Sequence, residues 1–433
     1  MQKVAAMVLA GGRNEGFGVL TLNRAKAALP YAGQYRLIDF ALSSLSDSGI
    51  DWVGLIIQYL PGSLLDHVGT GQAWDYYGDQ RRLKIMPPFV GVRDTEWYGG
   101  SADALRRNLS FVRPHEGTDV IICSGEHVYA MDFSDVVGFH RACGADLTIV
   151  AKRIAPEQES DRLGRLEFDE ETRRVRRFVE KPPRRFTNWA SIGVYVFRGQ
   201  VLERALEESE PGKIPTNLPK DVVEPVSREG RSFAYVFDGP WEYLEDLGQY
   251  YRSHRRLLAG DKDYPSPVWE ARTNLLDRGL CARVAARFGP DSEVSGAIVS
   301  PGCQIFGRVV DSALSPGVYV APGAEVRQSI LLHDCRVEAG ALIHRAVSDK
   351  DAVFEPGCRI GLSESAAGPN PLLPPSAQDL AVIGKGARIG PGVQLPLGAQ
   401  VYPKAVIELT SQALAEGQLN LEAGAAGEKA GIL

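Results

Sequence analysis

From about residue 291 onward the chain is punctuated by Pro-Gly, or by a lone Gly, at intervals near six residues. The units read VSGAIVSPGCQIFG, SPGVYVAPGAEV, VEAGALI, FEPGCRIG and VIGKGARIGPGVQLPLGAQV. A small or aliphatic residue precedes each break. This texture predicts a left-handed parallel β-helix, whose stacked turns bury one aliphatic residue per face. A β-sandwich with glycine turns is the rival, and the strict short spacing disfavours it. The β-helix is placed at 291–404. The stretch Gly361 to Asp379, GLSESAAGPNPLLPPSAQD, breaks the repeat and reads as a loop inserted between coils. Residues 261–290 read as a linker, and 405–433, rich in Ala, Gly and Glu, as a fraying tail.

The first 260 residues have a different rhythm. AAMVLA, WVGLII and DVIICSG are short apolar runs ending at polar or glycine residues, which suits strands buried on both faces. Further strands are expected at ADLTIVAK, SIGVYVF and FAYVF. Between them, RLIDFALSSLSDSG spaces Leu37, Phe40, Leu42 and Leu45 for one helical face and stops at Gly49, a C-terminal cap. SADALRRNLSFV opens on a serine cap candidate, Ser101. Alternation of this kind predicts a doubly wound α/β domain over 1–260, with ligands at the carboxyl ends of its strands. The first strand runs into LAGGRNEGFG, Leu9 to Gly18. Glycines there let backbone N–H groups approach a phosphate closely.

The net charge of −6 argues against general nucleic-acid binding but leaves room for a small anionic ligand. Six cysteines, Cys123, Cys143, Cys281, Cys303, Cys335 and Cys358, form no C-x-x-C pair. They read as buried small apolar residues of a reducing cytoplasm, with no zinc or disulfide framework. The apolar N-terminal run is too short for a membrane span, and no signal peptide is read before it.

In order along the chain come RAKAALPYAGQYRLIDFALSSLSDSGI, IIQY, WYGGSADAL, SGEHVYAMDF, FVEKP, SIGVYVF and YLEDLG. Together they resemble the ADP-glucose pyrophosphorylases (glucose-1-phosphate adenylyltransferases) of glycogen and starch synthesis, over nearly the whole chain. The resemblance implies ATP and glucose 1-phosphate as substrates, Mg2+ as cofactor, and ADP-glucose and pyrophosphate as products. It also implies small-molecule allosteric effectors and a homotetramer or a mixed assembly with a paralogous subunit. Leu9, Gly11, Gly12 and Arg13 match the first half of the family's G-G-x-G-T-R-L nucleotide loop. Lys26 matches the R-A-K-P lysine that contacts the triphosphate. Gln58 matches the glutamine that reads the adenine edge, and Gly100 and Ser101 the W-Y-x-G-T-A-D-A loop. Tyr98 of that loop, Gly164, Glu180, Lys181 and Ser191 match sugar-phosphate positions. Glu126 and Asp246 match the metal-binding carboxylates. Arg13, Lys26, Glu126 and Asp246 are thereby the expected catalytic set. Asp246 equally suits the start of the helix EDLGQYYRSHRRLL, where an acid favours the macrodipole.

Three departures lie on the nucleotide side. The loop reads NEGFG where the family has G-T-R-L, so its second arginine is missing, and Glu15 adds a charge of the wrong sign. Glu126 stands where the family has aspartate, reaching roughly 1 Å further. Ala130 stands where the family usually has lysine. The sugar-phosphate positions are intact. Four readings follow. The favoured one is an active adenylyltransferase. The others are a degenerate regulatory subunit, a pyrophosphorylase for another nucleotide or sugar such as GDP-mannose, and an acyltransferase based on the β-helix with His333 or His344 as base.

Overall fold

The computed structural model describes residues 3–12, 15–78, 80–89, 97–112, 118–155, 160–207, 214–260, 271–362, 379–409 and 421–423. Arg13, the segment 261–270 and most of the expected inserted loop therefore lie outside the described residues.

The nucleotide domain is built on one sheet. Its strands are β1 (Val4–Leu9), β2 (Trp52–Ile56), β3 (Arg82–Met86), β4 (Asp119–Ser124), β5 (Leu147–Arg153), β6 (Arg165–Phe168), β7 (Val175–Val179), β8 (Trp189–Arg198) and β9 (Ser232–Val236). The order is β7-β6-β8-β4-β1-β2-β3, with β5 beside β8 and β9 beside β5. The inner strands β4, β1, β2 and β3 are parallel, whereas β8 runs antiparallel to both β4 and β5. The sheet is thus mixed. Period-two alternation sends Ala6 and Val8 of β1 to one core and Ala5 and Met7 to the other. That two-sided burial is why the run is apolar throughout. Helices α1 (Leu37–Asp47), α2 (Gly62–Val68), α3 (Ser101–Arg107), α4 (Phe133–Ala142), α5 (Gly199–Glu207), α6 (Glu224–Glu229) and α7 (Leu247–Ala259) surround it. Gly49, at φ +68°, follows α1 as expected. Ser101 does not cap α3. Gly100 takes the cap position at φ +155°, where a Cβ would lie 2.3 Å from the Thr216 carbonyl oxygen, and Ser101 is the first helical residue.

The C-terminal half is a left-handed parallel β-helix, its strands starting at Arg287 and stacking into three sheets. One inward column runs Ile305, Val320, Val337, Phe354, Ile389 and Ile407, and a second Val309, Val326, Ile343, Ile360 and Leu395, all buried. On these two faces many outward positions are polar, such as Gln304, Arg336, Glu325 and Arg327. The third face differs. Its outward column, Ile298, Ala313, Ile330, Val347 and Val382, is apolar and in register, and ends at Gln400.

That apolar column packs on the nucleotide domain. Phe17, Val19, Leu20, Leu29, Tyr31 and Ala32 share one core with Ala313, Ile330, Leu332, Val347, Leu380 and Val382. Each Val, Leu, Ile or Phe side chain among them, fully buried, contributes about 1.5–3 kcal/mol. Arg24, also buried, pairs with Asp349 of the β-helix at 2.7 Å. Near the joint, His67 of α2 lies between two carboxylates, 2.6 Å from Asp39 and 2.7 Å from Asp277. Carboxylate oxygens only accept, so both ring nitrogens donate and the ring is an imidazolium. Arg36 adds a second cation on Asp277 at 2.7 Å.

The cysteine expectation holds for Cys123, Cys303, Cys335 and Cys358, which are buried; Cys143 is half-buried and Cys281 exposed. Cys281 sits in the turn that precedes the first coil.

Candidate active site

At the carboxyl end of β1 the chain turns through Ala10, Gly11 and Gly12. A Cβ on Gly11 would stand 2.7 Å from the backbone nitrogen of Gln58, so the close approach of the two strand ends demands glycine there. Tyr59 donates its N–H to the Gly11 carbonyl at 3.4 Å, and Ala25 to that of Leu60 at 3.1 Å. These bonds tie the loop, the Gln58 segment and the turn bearing Lys26 to one another.

A cavity of about 370 Å3 opens over this end of the sheet. Leu9, Gly11, Gly12, Gln58, Gly100 and Ser101 line one part, and Glu126, Gly193 and Tyr195 another. Lys26 is almost wholly buried beside it, its ammonium 3.2 Å from the Glu126 carboxylate and over the Phe17 ring at 5.6 Å. The structure thus brings Leu9, Gly11, Gly12, Lys26, Gln58, Gly100, Ser101 and Glu126 together. Gln58 clasps the neighbouring loop, its Oε1 accepting from the Tyr98 N–H at 2.7 Å, and each end of the amide retains capacity for one further bond. The Ser101 hydroxyl accepts from Leu218 N–H at 3.0 Å, which leaves its proton to donate.

Tyr98 lines this same cavity. Its hydroxyl donates to the Pro87 carbonyl at 2.7 Å and accepts from Asn108 at 2.9 Å, which ties the loop in place. Trp97 beside it is exposed.

The sugar-side positions gather at the edge of β8. Ser191 donates its N–H to the Gly164 carbonyl at 2.8 Å, and its hydroxyl donates to Tyr195 at 3.2 Å. A Cβ on Gly164 would stand 2.8 Å from the Glu180 carboxylate, so these residues are contiguous. Burial raises the pKa of Glu180, against the pull of Lys181 at 3.7 Å. Lys181 occupies left-handed backbone at φ +47°, a strained state for a residue with a side chain, and half of that side chain is exposed.

Asp246 caps α7, its Oδ1 accepting from Gln249 N–H at 2.8 Å. Leu247 N–H donates to the Gly16 carbonyl at 3.0 Å, which ties the start of α7 to the glycine loop. Asp246 and Glu126 offer oxygen donors, the set preferred by a hard cation that keeps water and phosphate ligands. Among the described residues no cluster of three or more His, Cys, Asp or Glu would hold a metal unaided. Ala130 faces a separate cleft against α1, lined by Phe40, Ser44 and Met131. His333 is buried at the domain joint, where burial first and Lys350 second push its pKa well down, so it is no exposed base.

Two residues escaped the sequence reading. His127 is buried, and its pKa is pushed down to about 3 by burial and by Lys26, so the ring is neutral. Tyr243 stacks on Trp241 at 5.8 Å and lies 6.0 Å from the Lys26 ammonium. Neither carries a local pattern that marks it. The H-V-Y after Glu126 was the nearest signal for His127.

The Nucleotidyl transferase family matches residues 5–259, and the GlmU-like C-terminal hexapeptide family matches 282–368. The chain is similar to the glucose-1-phosphate adenylyltransferase of Desulfitobacterium hafniense, 32% identical over 92% of this chain and 97% of the relative. It is 33% identical to that of Acetivibrio thermocellus, over 96% of this chain and 99% of the relative. With that of Thermotoga neapolitana the identity is 36%, over 76% of this chain and 77% of the relative. Among the described residues no helix is long and apolar enough to cross a membrane.

Proposed function

Because the chain belongs to the glucose-1-phosphate adenylyltransferase family, we propose that it joins ATP and glucose 1-phosphate into ADP-glucose, releasing pyrophosphate, for glycogen or related α-glucan synthesis in the cytoplasm. The observation that carries this is the buried Lys26–Glu126 pair at 3.2 Å beside a cavity lined by Gly11, Gly12, Gln58 and Ser101. A phosphate oxygen of the sugar attacks the α-phosphorus, that P–O bond forms, and the bond to the β-phosphate oxygen breaks. Such a transfer asks the protein for alignment and charge neutralisation more than for covalent chemistry.

In this reading Gly11 and Gly12 present backbone N–H groups to the triphosphate. Lys26 meets its negative charge from a site that water does not reach, where the attraction is strong. The spare bonds of the Gln58 amide meet the adenine edge. Lys181 pairs with the sugar phosphate, and Glu180 and Ser191 take sugar hydroxyls. Members of the family use a divalent metal, and we take it to be Mg2+, with Glu126 and Asp246 as the residues that would hold it. Bound there, it would neutralise charge building on the departing pyrophosphate. Arg13 is the remaining loop cation proposed for that face.

The β-helix is proposed to carry subunit contacts, in a homotetramer or a mixed assembly, and small-molecule effectors are expected to tune the enzyme. Pyrophosphate release from purified protein given ATP, glucose 1-phosphate and Mg2+ tests the reading, with GTP and mannose 1-phosphate as controls. A second reading, a subunit that binds without turnover, is favoured by one observation: NEGFG supplies no second arginine. Nucleotide binding with no pyrophosphate release selects it.

A further inference from the structure

The β8 strand does not run straight through the site. Its register against β5 jumps between Ser191, opposite Ala151, and Tyr195, opposite Ile149. Two extra residues are thereby accommodated on β8, and Ile192, Gly193 and Val194 bow out of the ladder. This bow places Ser191 on the sugar side and Gly193 and Tyr195 in the nucleotide cavity. From within, Ser191 ties it, its Oγ accepting from Gly193 N–H at 3.2 Å.

The outer tie is His127. Its Nδ1 lies 3.1 Å from the Ile192 carbonyl oxygen. A carbonyl only accepts, so Nδ1 carries the proton and donates. The same nitrogen then has no lone pair for the Trp241 indole N–H at 3.4 Å, and that contact is packing. Gly193, at φ +72°, lets the ring close in, for a Cβ there would sit 3.3 Å from its Cε1. On its other sides the ring stands edge-on to Trp241 at 5.8 Å and to Tyr243 at 5.3 Å. Trp241–Glu242 pairs with Val128–Tyr129 and leads on to Asp246. One imidazole therefore touches the bow of β8 and the strand before Asp246, and it is bonded through the chain to Glu126.

We propose that His127 is a positioning residue for adenylyl transfer, setting the spacing between the Glu126–Asp246 side of the site and the Ser191–Gly193 side through its hydrogen bond to Ile192. It touches no substrate in this scheme. The inference rests on the adenylyltransferase reading and deepens it.

The test uses the full-length chain and three proteins: wild type, His127→Phe and His127→Asn. Phenylalanine keeps the ring and loses the donor. The asparagine amide presents an N–H about where Nδ1–H sits. A displacement of about 1 Å in a positioned reaction costs on the order of a hundredfold. His127→Phe is expected to lower kcat by about that factor, with the KM for ATP within about threefold of wild type. His127→Asn is expected to hold kcat within about tenfold of wild type, the fold-change of 1.4 kcal/mol. A folded His127→Phe with wild-type kcat overturns the inference, as does a His127→Asn as slow as His127→Phe. Should His127→Phe fail to fold, His127→Asn decides alone: retained kcat supports the hydrogen bond, and a hundredfold loss overturns it. Wild-type protein that releases no pyrophosphate would instead sink the adenylyltransferase reading itself.

Discussion

Two lysines face phosphate in the proposed reaction, and the fold treats them in opposite ways. Lys26 is buried, paired with Glu126, and set in a segment whose apolar residues form a common core with the β-helix. Lys181 stands half exposed on a strained turn, with Glu180 3.7 Å away. A buried cation is held in place and lightly screened, so it suits charge that appears only during reaction. An exposed one is screened and mobile, so it suits capture of a substrate that must come and go. The difference fits a division of labour in the proposed reaction: the lysine on the nucleotide side is buried in a segment that both domains pack, and the one on the sugar side lies at the surface of the nucleotide domain.

The sharpest way to break that contrast is Lys26→Ala. Removal of a transition-state donor from a site closed to water costs about 10²–10³ in kcat, and that fall is expected with the glucose 1-phosphate KM little changed. Equal losses in the two parameters for Lys26 and Lys181 would erase the distinction. Glu126→Asp comes next. Shortening the carboxylate draws it from Lys26 and from the metal position, and turnover at saturating Mg2+ is expected to fall by roughly ten- to a hundredfold. A rise would transfer the protein to the subunit reading. Lys181→Ala should raise the dissociation constant for glucose 1-phosphate, read by calorimetry, at least about tenfold, or 1.4 kcal/mol. An unchanged constant would remove the sugar-side assignment.

The smallest effect concerns the joint behind the nucleotide side. Burial opposes the charge on His67, but the Asp39 carboxylate and the hydrogen bonds to Asp277 and Asp39 outweigh it, and the pKa is raised. The folded state then binds the proton more tightly than the unfolded state. Its contribution to stability is fully present below about pH 6.5, the ordinary histidine value, and is lost as pH rises through the folded pKa. Lys350 acts in the other direction, since burial, Arg36 and Arg24 push its pKa down to about 7. From there up to its ordinary value near 10.4, the unfolded state binds more protons and stability rises with pH. Comparison with His67→Gln isolates the first effect. The wild-type excess in urea midpoint should shrink as pH rises above about 6.5. An excess independent of pH would mean that the ring is not charged.

Both domains were legible from sequence because each has a short period that burial imposes: apolar runs of strand length in one, six-residue glycine spacing in the other. The docking of the two was written less plainly. IV, AL, IL, AVS and AVI on the third face of the β-helix pair an inward aliphatic with an outward apolar or small residue, whereas QI, RV and RI on another face pair it with a polar one. Spacing alone is blind to that, since all faces share it. In the site, glycines and lysines in motifs could be seen in advance. Motif order says nothing of which wall of a cavity a side chain lines, so the local contacts of Tyr98 with Pro87 and Asn108 came only from the structure. For His127 the H-V-Y after Glu126 was a signal for the residue but not for its role, because its partner, the Ile192 carbonyl, is backbone and sixty-five residues away.

The core that joins the domains also bears on how the protein is made. Phe17, Leu20, Leu29 and Tyr31 leave the ribosome early, yet the residues that complete their burial extend to Leu380 and Val382. At synthesis rates of about 5–20 residues per second, the nascent chain carries that uncovered apolar strip for on the order of tens of seconds. During this interval the β-strands of the nucleotide sheet have all their partners, but the turn that holds Lys26 still lacks the part of its apolar packing that the β-helix supplies. Premature termination before Leu380 would thus release a chain with a complete sheet and an uncovered apolar strip beside Lys26, a natural client for chaperones.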